Sequence, residues 1–132
     1  MDLRILEIAS HTENNKILKN YTHKSKHKNP LCGDEMEISL VVDNDVVKDM
    51  GYQCKSCVYC QASVSLLSRK IKDRKIGDLK DFISNSEKLF DDIQISIEKH
   101  WKEFKEIFKK ENLSRKECLL LPVRAVIKAL KK

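Results

Sequence analysis

The spacing of apolar residues changes several times along this chain, and each change predicts an element. Residues 2–10 carry apolar positions at helical spacing and predict a short amphipathic helix, with Leu3, Leu6 and either Ile5 or Ala9 facing inward. Residues 11–29 are polar and rich in Asn, Lys and His, which predicts a loop with one helical turn at Ile17 and Leu18. From Met36 the period falls to two. Met36, Ile38, Leu40 and Val42 point one way, and Glu37, Ser39 and Val41 the other, as in a strand with one face covered. Asp43, Asn44 and Asp45 form a turn signal, and Val46 and Val47 begin a return strand. A third short strand is predicted at Met50–Gln53.

After Cys57 the pattern is helical again, with Cys60, Val64, Leu67 and Ile71 close to i, i+4 spacing and Ser56 as the expected N-cap. Gly77 and Asp78 mark a break, followed by short helical turns around Leu79–Ile83. Leu89, Ile93, Ile97, Trp101, Phe104 and Phe108 then form one apolar stripe, read as the core face of a long helix. A last helix is expected after Cys118, with Pro122 in its first turn and Val123, Val126, Ile127 and Leu130 inward. These elements predict an α+β fold: a three-stranded antiparallel sheet packed against helices.

With 132 residues, the chain suits a single domain over 1–132 whose one core can be stable without disulfides. Charged residues make up 35%, mean hydropathy is −0.49, and no apolar run approaches the roughly 20 residues of a membrane helix. Neither a signal-peptide pattern nor a membrane partner is expected, and the odd count of five cysteines points to a reducing cytoplasm. The net charge of +6 comes mostly from lysines, which alternate with Glu and Asp in the C-terminal half, as on a salt-bridged exterior. The one compact basic patch, Lys24–Lys28, has no interleaved aromatics, so nucleic acid is not an expected partner.

Three of the cysteines stand within seven residues, as Cys54-x2-Cys57-x2-Cys60, while Cys32 and Cys118 lie far away on either side. Cys57 falls at a helix N-terminus, where unpaired N–H groups and the macrodipole favour a thiolate. Cys118 lies beside a helix start and next to Arg115 and Lys116. Gly33 permits a tight turn that presents Cys32 and Asp34 to one point. Three thiolates and one carboxylate suit zinc or the irons of a small cluster, and the carboxylate is the poorer match for a soft centre. The plainer reading of any cysteine is a small buried hydrophobe. For Cys54 and Cys60 that reading is at least as good: Cys60 shares the face of Val64 and Leu67, and Cys54 is the better spare thiol. The histidines at 11, 23 and 27 fit no helical metal pair and read as loop residues.

Asn29-Pro30-Leu31-Cys32-Gly33-Asp34, then Cys57 with Ala62, Ser63 and Ser65, then Arg115, Cys118 and Leu121, resemble the NifU/IscU/SufU family of iron–sulfur cluster assembly proteins. The long interval from Cys57 to Cys118 places the chain nearest the SufU branch. His11 falls on a histidine that the family often carries after its first helix. The resemblance implies a metal or cluster site at one exposed end of the fold, with Cys32, Asp34, Cys57 and Cys118 as ligands and Arg115 on a basic position usual in that branch. Cys54, Ser56 and Cys60 depart from the glycines and small residue usual there. Glu117 stands where the IscU branch has a histidine ligand.

The resemblance further implies a scaffold or sulfur acceptor. Its expected partners are a pyridoxal-phosphate-dependent cysteine desulfurase and apo iron–sulfur acceptor proteins, and its cargo a transient [2Fe–2S]-type cluster. The alternative is a zinc-dependent sulfurtransferase, with Zn2+ on the same four residues and persulfide carried by Cys118 or Cys57. A structural zinc module binding nucleic acid is disfavoured, because Cys32 and Cys118 lack the paired spacing of such sites. No Ser–His–Asp arrangement and no phosphate-binding glycine loop supports an independent catalytic cycle.

Overall fold

The computed structural model describes residues 3–29, 33–91 and 97–131. Four α-helices and four strands follow in the order α1 (Leu3–Ala9), β1 (His23–Lys28), β2 (Glu35–Asp43), β3 (Val46–Lys55), α2 (Val58–Lys70), β4 (Arg74–Lys75), α3 (Ile76–Ser86) and α4 (Lys116–Leu130). Between α3 and α4 run the 3-10 segments Glu87–Asp91, Lys99–Glu106 and Lys110–Arg115. The strands form one antiparallel sheet in sequential order. Helix α4 packs on β1 and β2, and α2 packs on β3, α1 and α4. The fold is α+β as expected, with four strands rather than three. Among the described residues no helix is long and apolar enough to cross a membrane.

The extra full-length strand is β1, which the sequence disguises as a polar loop. Its residues read HKSKHK, and its one buried position is Ser25, whose hydroxyl donates to the Ala125 carbonyl of α4 at 2.6 Å. A polar side chain serves at the inward position because a helix carbonyl is there to receive it. The turn between β2 and β3 holds Asn44 and Asp45 at φ 52° and 64°, the two left-handed residues of a tight hairpin turn. Val46–Val47 and Met50–Gln53 belong to one strand, β3. An irregularity near Val41 and Val42 pairs Val42 with Val47 but Val41 with Asp49, so Lys48 is the extra residue. That bulge spaces the buried Val47 and Met50 by three and hides their continuity from a period-two reading.

Helix α1 has the opposite phase from the one expected. Ile5 and Ile8 are buried, whereas Leu3 is 78% exposed and Leu6 44%. Arg4, which pairs with Glu103 and Glu106 at 2.9 Å, ties that face of the helix to the 3-10 segment Lys99–Glu106. The aromatic stripe is core, as its chemistry implies, but its described part is not a long helix. Trp101, Phe104 and Ile107 are buried at a strict spacing of three, the period of a 3-10 helix. Phe82 stacks on Trp101 with centroids 4.5 Å apart, and Phe104 meets Phe108 at 5.3 Å. Ile93 lies outside the described residues. Gly77 sits inside α3; the chain turns earlier, at Asp73 with φ 67°. Helix α4 begins at Lys116, before Cys118, so Pro122 stands in its second turn rather than its first.

The hub is α2, buried on every side from Ala62 to Ser68. Its serines reach carbonyls of other segments: Ser63 donates to Leu119 O and Ser65 to His11 O, both at 2.6 Å. Asn14 donates to the Ser68 hydroxyl at 3.1 Å, and its own carbonyl accepts from the Tyr52 N–H. This second contact lays residues 14–18 along β3. Gly51 makes the approach possible, because a Cβ there would stand 2.3 Å from Lys16 O and 3.1 Å from Leu18 Cγ. Gly51→Ala is expected to push this segment off the strand and cost about 1–3 kcal/mol, the usual range for overpacking. Urea unfolding measures it, and an unchanged midpoint would refute so close an approach.

Candidate functional site

Three chain segments converge where β2 begins and where α2 and α4 start. Asn29 and Asp34 close the first of them: Asn29 N donates to Asp34 O, and Gly33 N to Asn29 O, each at 2.8 Å. Gly33 has φ 75°, a left-handed conformation that costs other residues roughly 1–2 kcal/mol. The glycine thus turns Asp34 inward. Cys57 is the N-cap of α2, with extended backbone at φ −72°, ψ 168°, and Cys118 is the third residue of α4. One ligating atom each of Asp34, Cys57 and Cys118 lies within 4.8 Å of the others. Cys32 lies outside the described residues. Ser56 is not the N-cap; its hydroxyl is buried just before it and has no hydrogen-bond partner among the described residues.

The donor set fits a metal. Ligand atoms about 2.0–2.3 Å from zinc stand roughly 3.5 Å apart, so the observed cluster is a small side-chain adjustment from closing on one ion. Asp34 Oδ2 is buried and has no hydrogen-bond partner among the described residues, a costly state for a carboxylate that an ion would relieve. Cys57 is partly buried against the core and Cys118 is only 7% exposed, so the first is the more accessible of the two. Both hang from helix N-termini, which favour negative charge.

The other two cysteines differ from this set and from each other. Burial pushes the Cys60 thiol far up, with Cys54, Asp34 and Cys57 adding to the shift and the nearby Ser56 hydroxyl opposing it. Cys60 is fully buried, on the core face with Val64 and Leu67 as its spacing implies. Cys54, next to last in β3, is half-buried, and desolvation raises its thiol too. Arg115 stacks over the Tyr59 ring at 5.2 Å, covering the first turn of α2; that partnership had only the adjacency of Tyr59 to Cys57 as a signal. Glu117 is engaged by Arg124, two turns along the same face of α4, so its carboxylate is committed elsewhere. None of the histidines at 11, 23 and 27 joins the cluster.

The model of the NifU-like N-terminal domain matches residues 3–99. The chain belongs to that family. It is 33% identical over 85 residues to the iron–sulfur cluster assembly scaffold protein IscU of Thermotoga maritima, covering 64% of this chain and 60% of that protein. It is 32% identical over 65 residues to the zinc-dependent sulfurtransferase SufU of Bacillus subtilis, covering 49% of this chain and 42% of that one. These matches thus span under two thirds of either relative's length. The fold is also that of a crystallised NifU-like N-terminal protein from Brucella abortus, with TM-score 0.85 and 22% identity over 98% of this chain and 91% of that one. A SufU structure from Fervidobacterium islandicum agrees at TM-score 0.86 and 20% identity, over 99% and 96% of the two chains.

Within this NifU-like domain, burial separates the thiols by reactivity. In metal-free protein, native alkylation with iodoacetamide is expected to modify Cys57 well before Cys60, as read by peptide mass mapping. Equal rates at the two positions would mean that the first turn of α2 opens readily.

Proposed function

We propose that this protein serves iron–sulfur cluster assembly, holding a nascent [2Fe–2S]-type cluster or sulfur in transit at Asp34, Cys57 and Cys118, with Cys32 as the fourth donor. The observation that carries the reading is the meeting of a carboxylate and two thiols from three distant segments, in a chain of the NifU-like family. The residues supply soft donors on rigid helices and one hard donor on a loop. Thiolates hold iron firmly, and the carboxylate oxygen is the contact most easily given up when the cluster is handed on. The sulfur source in this reading is a cysteine desulfurase that uses pyridoxal phosphate, and the recipients are apo iron–sulfur proteins. The partly exposed Cys57 is accessible to both.

A second reading is favoured by the similarity to the Bacillus subtilis zinc-dependent sulfurtransferase. Here zinc occupies the same donors, and Cys118 or Cys57 carries sulfur as a persulfide. Zinc would orient the ligands and favour their thiolate forms. Anaerobic purification with metal and acid-labile sulfide analysis separates the two readings. Iron with matching sulfide supports the scaffold; stoichiometric zinc without sulfide supports the relay; neither metal at the site would overturn both.

Asp34→Ala is expected to leave a cluster able to form on the cysteines while slowing its transfer to an apo acceptor, because the weakest contact is gone. Transfer from an equally loaded variant at the wild-type rate would remove Asp34 from this role.

A further inference from the structure

We propose that Cys57 and Cys60 act as a dithiol that releases delivered sulfur as sulfide, an activity that rests on the sulfur-acceptor reading above. The need is chemical: a persulfide brings sulfur at the oxidation level of the element, whereas a cluster contains sulfide, two electrons richer. The geometry points to where those electrons come from. Cys57 is the N-cap of α2 and Cys60 its third helical residue. Residues three apart on a helix have Cβ atoms about 5–6 Å apart, close to the roughly 3.5–4.5 Å that a disulfide requires. A side-chain rotation and a small backbone shift bring the sulfurs together.

The first half of the C-x2-C-x2-C run lacks this geometry. Cys54 lies in β3, which ends at Lys55, and so stands outside the helix that Cys57 caps. Burial divides the labour further. Cys57 is partly exposed and can meet a donor, while Cys60 is fully buried and shielded from one. Cys118 lies within 4.8 Å of Cys57, so sulfur arriving at Cys118 can pass to Cys57 by thiol–persulfide exchange.

The step balances without another reactant. The Cys60 sulfur attacks the Cys57 sulfur of the persulfide; the bond from Cys57 to the outer sulfur breaks, and its electron pair leaves with that outer sulfur. The proton of Cys60 joins it, giving one hydrogen sulfide and a Cys57–Cys60 disulfide. The outer sulfur gains two electrons, which the two cysteine sulfurs supply. An external dithiol reductant then restores both thiols by ordinary exchange.

The test uses the full chain, charged anaerobically by a cysteine desulfurase with cysteine, freed of small thiols and followed over time. One sulfide per persulfide should appear, one further thiol, that of Cys60, should disappear together with the persulfide, and mass mapping should find a Cys57–Cys60 disulfide. Cys60→Ser should keep its persulfide and lose spontaneous release, which added dithiothreitol restores. Persulfide that persists on wild-type protein without sulfide or disulfide would overturn the proposal and leave the acceptor reading standing, as would a disulfide mapped to Cys54. So would wild-type release in Cys60→Ser together with failure in Cys54→Ser. A chain that takes up no persulfide sinks both readings. Should the Cys60 variant fail to fold, the wild-type mapping alone decides.

Discussion

One hydrogen bond, from the Ser63 hydroxyl to the Leu119 carbonyl, sits between the two helices on which the site depends. Helix α2 is buried on every side from Ala62 to Ser68, and a polar group there must find a partner within the protein or cost its full desolvation. Ser63 finds one in α4, next to Cys118. The bond therefore fixes the relative height of α2 and α4, and with it the separation of Cys57 and Cys118. Pro122 acts on the same turn. It lacks the N–H that would bond the carbonyl four residues back, at Cys118, so the first turn of α4 is not governed by its own ladder alone. A site with two of its donors on separate helices needs an external gauge of this kind.

The two helix-borne sulfurs and the loop-borne carboxylate differ in how they are held. Cys57 and Cys118 inherit the rigidity of a packed core that includes Phe82, Trp101, Phe104 and Phe108. Asp34 depends on a short loop closed by two backbone hydrogen bonds and a left-handed glycine. Softness of donor and kind of support thus run together: the two soft donors hang from packed helices, and the hard donor sits on a loop.

The sheet core was legible where its chemistry follows the period. Met36, Ile38 and Leu40 alternate cleanly, and all three are buried. Legibility failed where a polar residue serves an apolar position or where spacing supports two answers. Ser25 is the inward residue of β1 only because Ala125 offers a carbonyl. LRILEIA can face the core with Leu3 and Leu6 or with Ile5 and Ile8, and Arg4 facing Glu103 and Glu106 favours the second phase. Trp101 and Phe104 satisfy helical and 3-10 spacing alike. At the site, residue chemistry and the family resemblance singled out Cys32, Asp34, Cys57 and Cys118 across more than 80 positions of chain; the fold brings the last three together, and Cys32 lies outside the described residues. The Ser63 bond, the Tyr59–Arg115 stack and the helical placement of Cys60 relative to Cys57 are matters of three-dimensional register that linear spacing does not encode.

The unpromising stretch between α1 and β2 supplies what lies along both flanks of the sheet. A sheet has two open flanks, and each is a template for a stranger's strand. Residues 14–18 lie along β3, with the Tyr52 N–H already taken by Asn14, and that flank is closed. On the other flank β1 turns Lys24, Lys26 and Lys28 away from the buried Ser25 side, so an approaching duplicate meets ammonium groups before it meets free amides. The polar segment thus leaves neither flank of the sheet as a bare, uncharged edge, the kind of edge that invites pairing with another strand.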